Sequence, residues 1–474
     1  MKKHAITFSL SLMFAGSILW AGSAAAATGD AAAAISRGEY LATASDCAAC
    51  HTDKGGLPFA GGLKIESPVG TIIASNITPS LTAGIGHYTE QQFADAVRKG
   101  IRADGANLYP AMPYTAYSVM TDQDIHDLYQ YFMHGVKPVD HPAAETGLPF
   151  PMNIRMMMKA WNLLFLNDKP FIPDASQSAA WNRGKYLVTG AAHCSTCHTP
   201  RGPLMEEESS QFLSGGQVGA WYAPNITADP QSGIGRWSQA NIVQYLRTGN
   251  LPGKAQAAGS MGEAVEHSFQ HLTDDDLNAI ATYIRTVKPV ATPENAGSRF
   301  EQGDNHDATG LIRGLSQQQV TDAKQQGLAL FQGNCASCHE AGGQGSRDSY
   351  YPSLFHNSVT GAQNSNNLIA TILNGVNRTT REGRVFMPGF GHHPNDINNL
   401  SDEQIASLAN YVLTTYGKPA KPVTAAMVAT VRQGGPGSNL VLLARFGIAA
   451  GVIIVLILAG IWMVRRKKNA TDAS

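Results

Sequence analysis

The sequence predicts an all-α protein: three consecutive copies of one module, each about 100 residues long, closed by a single transmembrane helix. Three observations predict it. The pentapeptide Cys-x-x-Cys-His occurs three times, at Cys47–His51, Cys194–His198 and Cys335–His339, and uses all six cysteines. A second repeat, Arg37-Gly38-Glu39-Tyr40-Leu41 and Arg183-Gly184-Lys185-Tyr186-Leu187, runs into the first two copies. Near the C-terminus, Phe446 to Val464 is 19 residues without a charge.

The chain begins as an export signal would. Lys2 and Lys3 precede an apolar stretch from Ala5 to Trp20, and the Ala-rich run Ser23 to Ala27 offers a small-residue cleavage site. Residues 1–27 are expected to be removed, with a mature start between Ala27 and Asp30. The first module is then expected over 31–140, a linker over 141–178 and the second module over 179–291. A linker over 292–320 leads to the third module, 321–418, which opens on the looser Gly327-Leu328-Ala329-Leu330-Phe331.

Each module closes on a capped amphipathic helix. Thr121 leads Ile125, Leu128 and Phe132; Thr273 leads Leu277, Ile280 and Ile284; Ser401-x-x-Gln404 is a capping box before Ile405, Leu408 and Val412. These stripes are core. Val136-Lys137-Pro138-Val139 ends the first module, Val287-Lys288-Pro289-Val290 the second and Gly417-Lys418-Pro419 the third. Asn76-Ile77-Thr78 is echoed by Asn225-Ile226-Thr227, and Gly84-Ile85-Gly86 by Gly233-Ile234-Gly235.

A linker over 419–440 joins the last module to the membrane helix, 441–464. Its apolar run would rise roughly 28 Å, close to a hydrocarbon core of about 30 Å. Arg445 marks its leading edge, and Arg465, Arg466, Lys467 and Lys468 follow it, which places the tail 465–474 in the cytoplasm and the body in the periplasm. The formal charge of −1 includes both basic ends, so the body between them is acidic and nucleic acid is excluded as a partner.

The chemistry lies in the pentapeptides. Two thiols at this spacing form thioethers to the vinyl groups of a heme, and the adjacent His supplies the proximal iron ligand. A zinc site would need two such groups converging on one metal, whereas these lie about 145 residues apart. A disulfide framework has no use for a His after every second Cys. Three covalent hemes are expected, held by Cys47, Cys50, Cys194, Cys197, Cys335 and Cys338, with His51, His198 and His339 on iron.

The opposite side of each iron decides what the heme does. A Met thioether closes the site and raises the potential, giving an electron carrier, and an open position allows ligand or peroxide chemistry. Met112 lies 61 residues after His51, Met261 lies 63 after His198, and Met387 lies 48 after His339. Each precedes its module's last helix. Met120 and Met133 compete with Met112, His267 and His271 with Met261, and His392 and His393 with Met387.

With these features the chain resembles the triheme cytochrome c subunits of bacterial membrane-bound alcohol, aldehyde, gluconate and sorbitol dehydrogenases. The likeness is carried by Arg37 to Leu41, by Cys197-His198-Thr199-Pro200-Arg201-Gly202, by Asn225-Ile226-Thr227 and by the linker segment Trp161-Asn162-Leu163-Leu164-Phe165. The resemblance implies three class I cytochrome c modules in the bacterial inner membrane. It also implies electrons taken from a flavin- or PQQ-containing dehydrogenase subunit and passed to ubiquinone, and it leaves room for a small third subunit. A free-standing relay to a terminal oxidase and a heme peroxidase are the rival readings. No phosphate-binding loop, Ser-His-Asp set or paired carboxylates point to a substrate-oxidising site in this chain. The segment Met152 to Leu166, with Met156, Met157 and Met158, reads as interdomain packing or as a docking surface.

Overall fold

The computed structural model describes residues 14–292, 297–307, 320–394, 396–418 and 421–471. Lys2, Lys3, Pro419 and the chain end 472–474 lie outside them, as does most of the linker 292–320.

Among the described residues three buried apolar clusters form, each around one crossing of two helices. In the first, α1 (Phe14–Ala44) leads into the short α2 (Cys47–His51), and α5 (Asp122–Gln130) packs back across α1. Between them lie a hairpin of β1 (Lys64–Ser67) and β2 (Gly70–Ile73), then α3 (Glu90–Lys99) and α4 (Tyr114–Tyr117). After α6 (Met157–Phe165) in the linker, the second cluster repeats the plan, with α7 (Ala179–Thr189) running into α8 (Cys194–His198). There follow hairpin β3 (Gly216–Val218) and β4 (Trp221–Ala223), α9 (Gln239–Thr248), and the two-residue strands β5 (Asn250–Leu251) and β6 (Ala255–Gln256). Then α10 (Gly259–His267) precedes α11 (Asp274–Ile284), which crosses α7. The third comprises α12 (Ala323–Asn334), α13 (Ala336–His339), α14 (Asn366–Asn374), hairpin β7 (Val376–Thr380) and β8 (Gly383–Met387), and α15 (Asp402–Tyr416), which crosses α12. The sequence reading held no strands. Among the described residues four two-stranded antiparallel hairpins are present, and the all-α description is corrected to a mainly helical one.

The repeated glycine explains each crossing. A β-carbon on Gly38 would sit 1.9 Å from the Asp127 carbonyl oxygen, one on Gly184 1.9 Å from that of Ala279, and one on Gly327 2.3 Å from that of Ser407. Only a residue without a side chain lets the two helices approach this closely. The residue before each glycine bridges the same pair of helices. Arg37 grips Asp127 through two bonds of 2.7 and 3.0 Å, and Arg183 grips Asp276 through two of 2.8 Å. In the third cluster the Ser407 hydroxyl donates to Gln326 Oε1 at 2.9 Å, an uncharged substitute.

The closing helices begin where their caps place them. Thr121 and Thr273 accept from Asp124 N and Asp276 N, and Ser401 forms a full capping box with Gln404. Beyond the third cluster, α16 (Ala425–Arg432) packs on α14 and α15. The last helix, α17 (Leu440–Thr471), is long and apolar enough over Leu440–Arg466 to cross a membrane, and none of that span is buried against protein. Its Arg445 side chain donates to the Phe150 carbonyl at 3.0 Å, tying the helix to the first linker.

Candidate functional site

The three pentapeptides fold as single helical turns, and their cysteines are partnered with no disulfide. Burial pushes the Cys47, Cys194 and Cys335 thiols up to about 12. Among the described residues no group of three or more His, Cys, Asp and Glu converges. In two sites the residue ahead of the first cysteine takes a left-handed backbone, Asp46 at φ 52° and His193 at φ 35°. That turn swings the motif out of the preceding helix axis.

Each histidine is oriented the same way. His51 Nδ1 lies 2.7 Å from the Ser75 carbonyl, His198 Nδ1 2.7 Å from that of Pro224, and His339 Nδ1 2.9 Å from that of Pro352. A hydrogen bond there puts the proton on Nδ1 and leaves the Nε2 lone pair for iron. Burial lowers all three imidazoles, His198 to about 4, and so keeps them neutral. Neutral, oriented imidazole is the ligand a heme requires.

The Asn-Ile-Thr repeat builds the loop that carries these carbonyls. Asn76 Oδ1 accepts from Thr78 N and Oγ1 at 2.9 and 2.7 Å, while its amide donates to the Val139 carbonyl at 2.8 Å. Asn225 makes the same bonds to Thr227 at 2.8 and 2.8 Å and to Val290 at 2.7 Å. The residues accepting from His51 and His198 directly precede these asparagines. The repeat therefore locks the histidine acceptor to the module's exit at Lys-Pro-Val.

Each apolar cluster brings a pentapeptide cysteine to one expected methionine. Cys47 and Met112 pack on the first, Cys194 and Met261 on the second, and Cys335 and Met387 on the third. Two of these methionines do not stand in loops. Met261 lies in the first turn of α10, and Met387 ends β8, opposite Val376. The rival histidines face outward. His267, His271, His392 and His393 are all exposed, with His271 Nε2 on the Glu266 carbonyl and His393 Nε2 on Asn374. Met120 is fully buried and Met133 partly so, both in the first cluster.

Sequence reasoning missed the polar groups between sites. Tyr117 donates to the Ser45 carbonyl at 2.8 Å and stacks on His193. Trp237 Nε1 is buried with no acceptor, and Arg378 is a fully buried cation. Nothing in their sequence neighbourhoods marks them, because their surroundings come from distant parts of the chain. The linker helix α6 turns Asn162 inward, onto Tyr114 Oη and the Lys99 carbonyl, and leaves Leu163 and Leu164 86 and 68 % exposed.

This arrangement of paired thiols, oriented histidines and helix crossings defines a c-type cytochrome. The cytochrome c family model matches residues 182–288 and 325–416, and that of cytochrome c oxidase, cbb3-type, subunit III matches 33–132. Relatives cover nearly the whole chain. The fructose dehydrogenase cytochrome subunit of Gluconobacter japonicus is 47 % identical over 92 % of both chains. The cytochrome c subunit of the quinone alcohol dehydrogenase of Gluconacetobacter polyoxogenes is 40 % identical over 88 % of both. The gluconate 2-dehydrogenase cytochrome c subunit of Pantoea cypripedii is 39 % identical over 85 % of this chain and 90 % of that one. The chain belongs to this family of dehydrogenase cytochrome c subunits, whose domains bind heme c covalently.

Proposed function

We propose that this chain is a triheme electron-transfer subunit. It takes electrons from a periplasmic dehydrogenase subunit carrying flavin or PQQ and delivers them to ubiquinone in the membrane. The observation that carries the reading is the recurrence, in each of three cores, of a pentapeptide cysteine with the methionine expected from the sequence, Met112, Met261 or Met387. Cys47 and Cys50, Cys194 and Cys197, and Cys335 and Cys338 hold the hemes. His51 with Met112, His198 with Met261, and His339 with Met387 complete the iron ligands. The hemes supply reversible one-electron chemistry when bound, and the protein's part is to hold, orient and desolvate them.

With a His and a Met at each site to hold the iron, a bound heme would have no free position for peroxide, which favours a carrier over a peroxidase. The named relatives are subunits of fructose, alcohol and gluconate dehydrogenases, which supports a dehydrogenase partner oxidising a polyol, alcohol or sugar acid. The unburied apolar span Leu440–Arg466, followed by basic residues, supports a single-pass anchor with the three modules (31–140, 179–291 and 321–418) in the periplasm and the tail in the cytoplasm. Native purification from gently solubilised membranes tests the partner. A flavin- or PQQ-bearing protein should co-purify, and its substrate should reduce the cytochrome. A cytochrome that emerges alone with all hemes intact would favour a relay to an oxidase.

A further inference from the structure

Arg378 stands on β7 of the third cluster, yet its side chain lies in the second. It is 1 % exposed and the largest side chain among the fully buried ones. Its Nη1 donates to the Ala257 carbonyl, and its Nη2 to Gln256 Oε1 at 3.2 Å. Its Nε has no acceptor, and neither does Nε2 of the same Gln256. Gly249, at φ 68°, makes room for it: a β-carbon there would fall 2.6 Å from Arg378 Nε.

A buried guanidinium calls for an anion, and among the described residues no carboxylate forms an ion pair with it. Glu266 acts on it only through space, with its Oε2 already accepting from Thr379 N at 3.1 Å. Burial accordingly lowers Arg378 below the usual arginine range. The surroundings are those of the second heme site. Ala257 lies four residues before Met261 and belongs to the cluster that holds Cys194 and Met261. Tyr245 packs on that cluster, feels both Arg378 and Arg299, and sets its ring 5.5 Å from Trp237, whose Nε1 is another buried donor without an acceptor.

We propose that Arg378 of the third module completes the second module's heme site, donating from its unpartnered Nε to a heme propionate carboxylate. The inference rests on the second Cys pair carrying a heme. A heme brings two carboxylates, and this part of the cluster has buried donors and a buried guanidinium to which, among the described residues, no carboxylate bonds. The pairing makes the second heme's potential depend on how the third module is docked. The contact is held by Thr379 and Arg381, whose backbone groups bond to Gln270 at 3.1 and 2.9 Å.

The test compares the full-length membrane protein with R378Q, R378K and R384Q, the last removing a charge on the same hairpin that stacks over Phe386. Potentiometric titration and the propionate bending band in resonance Raman spectra are the readouts, with the second heme's wave assigned as the one displaced by M261H. Loss of a nearby cation stabilises the ferric state, so R378Q should raise the second heme's ferric/ferrous ratio at fixed potential about tenfold. It should also shift the propionate band, while R378K keeps most of both and R384Q changes neither. If R378Q lowers thermal stability but leaves potential and band in place, Arg378 only packs, and the inference is overturned. If mass spectrometry finds no heme on Cys194 and Cys197, the triheme reading fails and takes this inference with it.

Discussion

The ring of Tyr117 stacks on that of His193, with centroids 5.7 Å apart and planes 26° from parallel. Tyr117 closes the loop before the first pentapeptide, and His193 stands directly ahead of the second. The contact joins the segments ahead of two pentapeptides, and more contacts surround it. Tyr40 donates to Asp276 at 2.6 Å, and Ala44 of α1 is buried in the second cluster. The first two units therefore share one interface that orders both loops.

Truncating Tyr117 should weaken that interface. The side chain is 6 % exposed, so Y117A is expected to cost about 3 kcal/mol, in line with other buried aromatic truncations. Thermal unfolding followed by heme-region circular dichroism should show it, whereas Y117F, which keeps the ring, should lose only about 1 kcal/mol for its hydrogen bond.

The helix crossings make an opposed pair of glycine predictions. G184A forces a β-carbon to within 1.9 Å of a carbonyl oxygen and should destabilise by about 3 kcal/mol or prevent heme insertion. G333A lies in α12 with nothing within 4 Å of its new β-carbon and should stabilise by about 0.5 kcal/mol. Denaturant midpoints of the two variants check both signs.

Asp276 carries a pH dependence. Burial alone would raise its carboxyl, but bonds from Arg183 and Tyr40 outweigh that and hold it below the usual carboxylate range. A carboxyl depressed on folding contributes stability above its unfolded pKa of about 3.9 and loses it as pH falls below that value. D276N should therefore cost about 2 kcal/mol near neutral pH and flatten the acid limb of the stability profile below about pH 4. Tm measured from pH 7 down to pH 3 separates the two curves.

Removing everything after Gly434 should release the protein from the membrane without changing its heme spectrum, since the span Leu440–Arg466 has no burial against the body. Fractionation of cells expressing both forms reads this directly. A truncated chain that remains with the membranes would place a second attachment elsewhere.

Much of the architecture was legible because the repeat wrote it three times. The glycine ahead of each pentapeptide and the Asn-Ile-Thr echo stood out as repeats, but only the structure gives their roles, the one as the crossing of helices about 90 residues apart in sequence and the other as the loop that aims His51 and His198. Capping residues placed the closing helices, because a cap is a local interaction. The hairpins were not legible. Strands of two to five residues carry too little alternation to register, so nothing marked the hairpin that Met387 ends. Met261 likewise sits in a short helix whose formation depends on packing against α2 and β7. Arg378 could not be found at all from sequence, since its burial is created by Gly249 and Ala257, more than 100 residues away.

Three hemes, each with a methionine on its iron, can be tested in one preparation. The full-length protein purified from membranes should be digested and its peptides weighed, with magnetic circular dichroism of the intact ferric form measured alongside. Heme should be found on all three Cys pairs, and each iron should show the low-spin charge-transfer band of Met–His ligation, lost one heme at a time in M112A, M261A and M387A. A Cys pair recovered as free thiols, or a high-spin iron in the native protein, would contradict it.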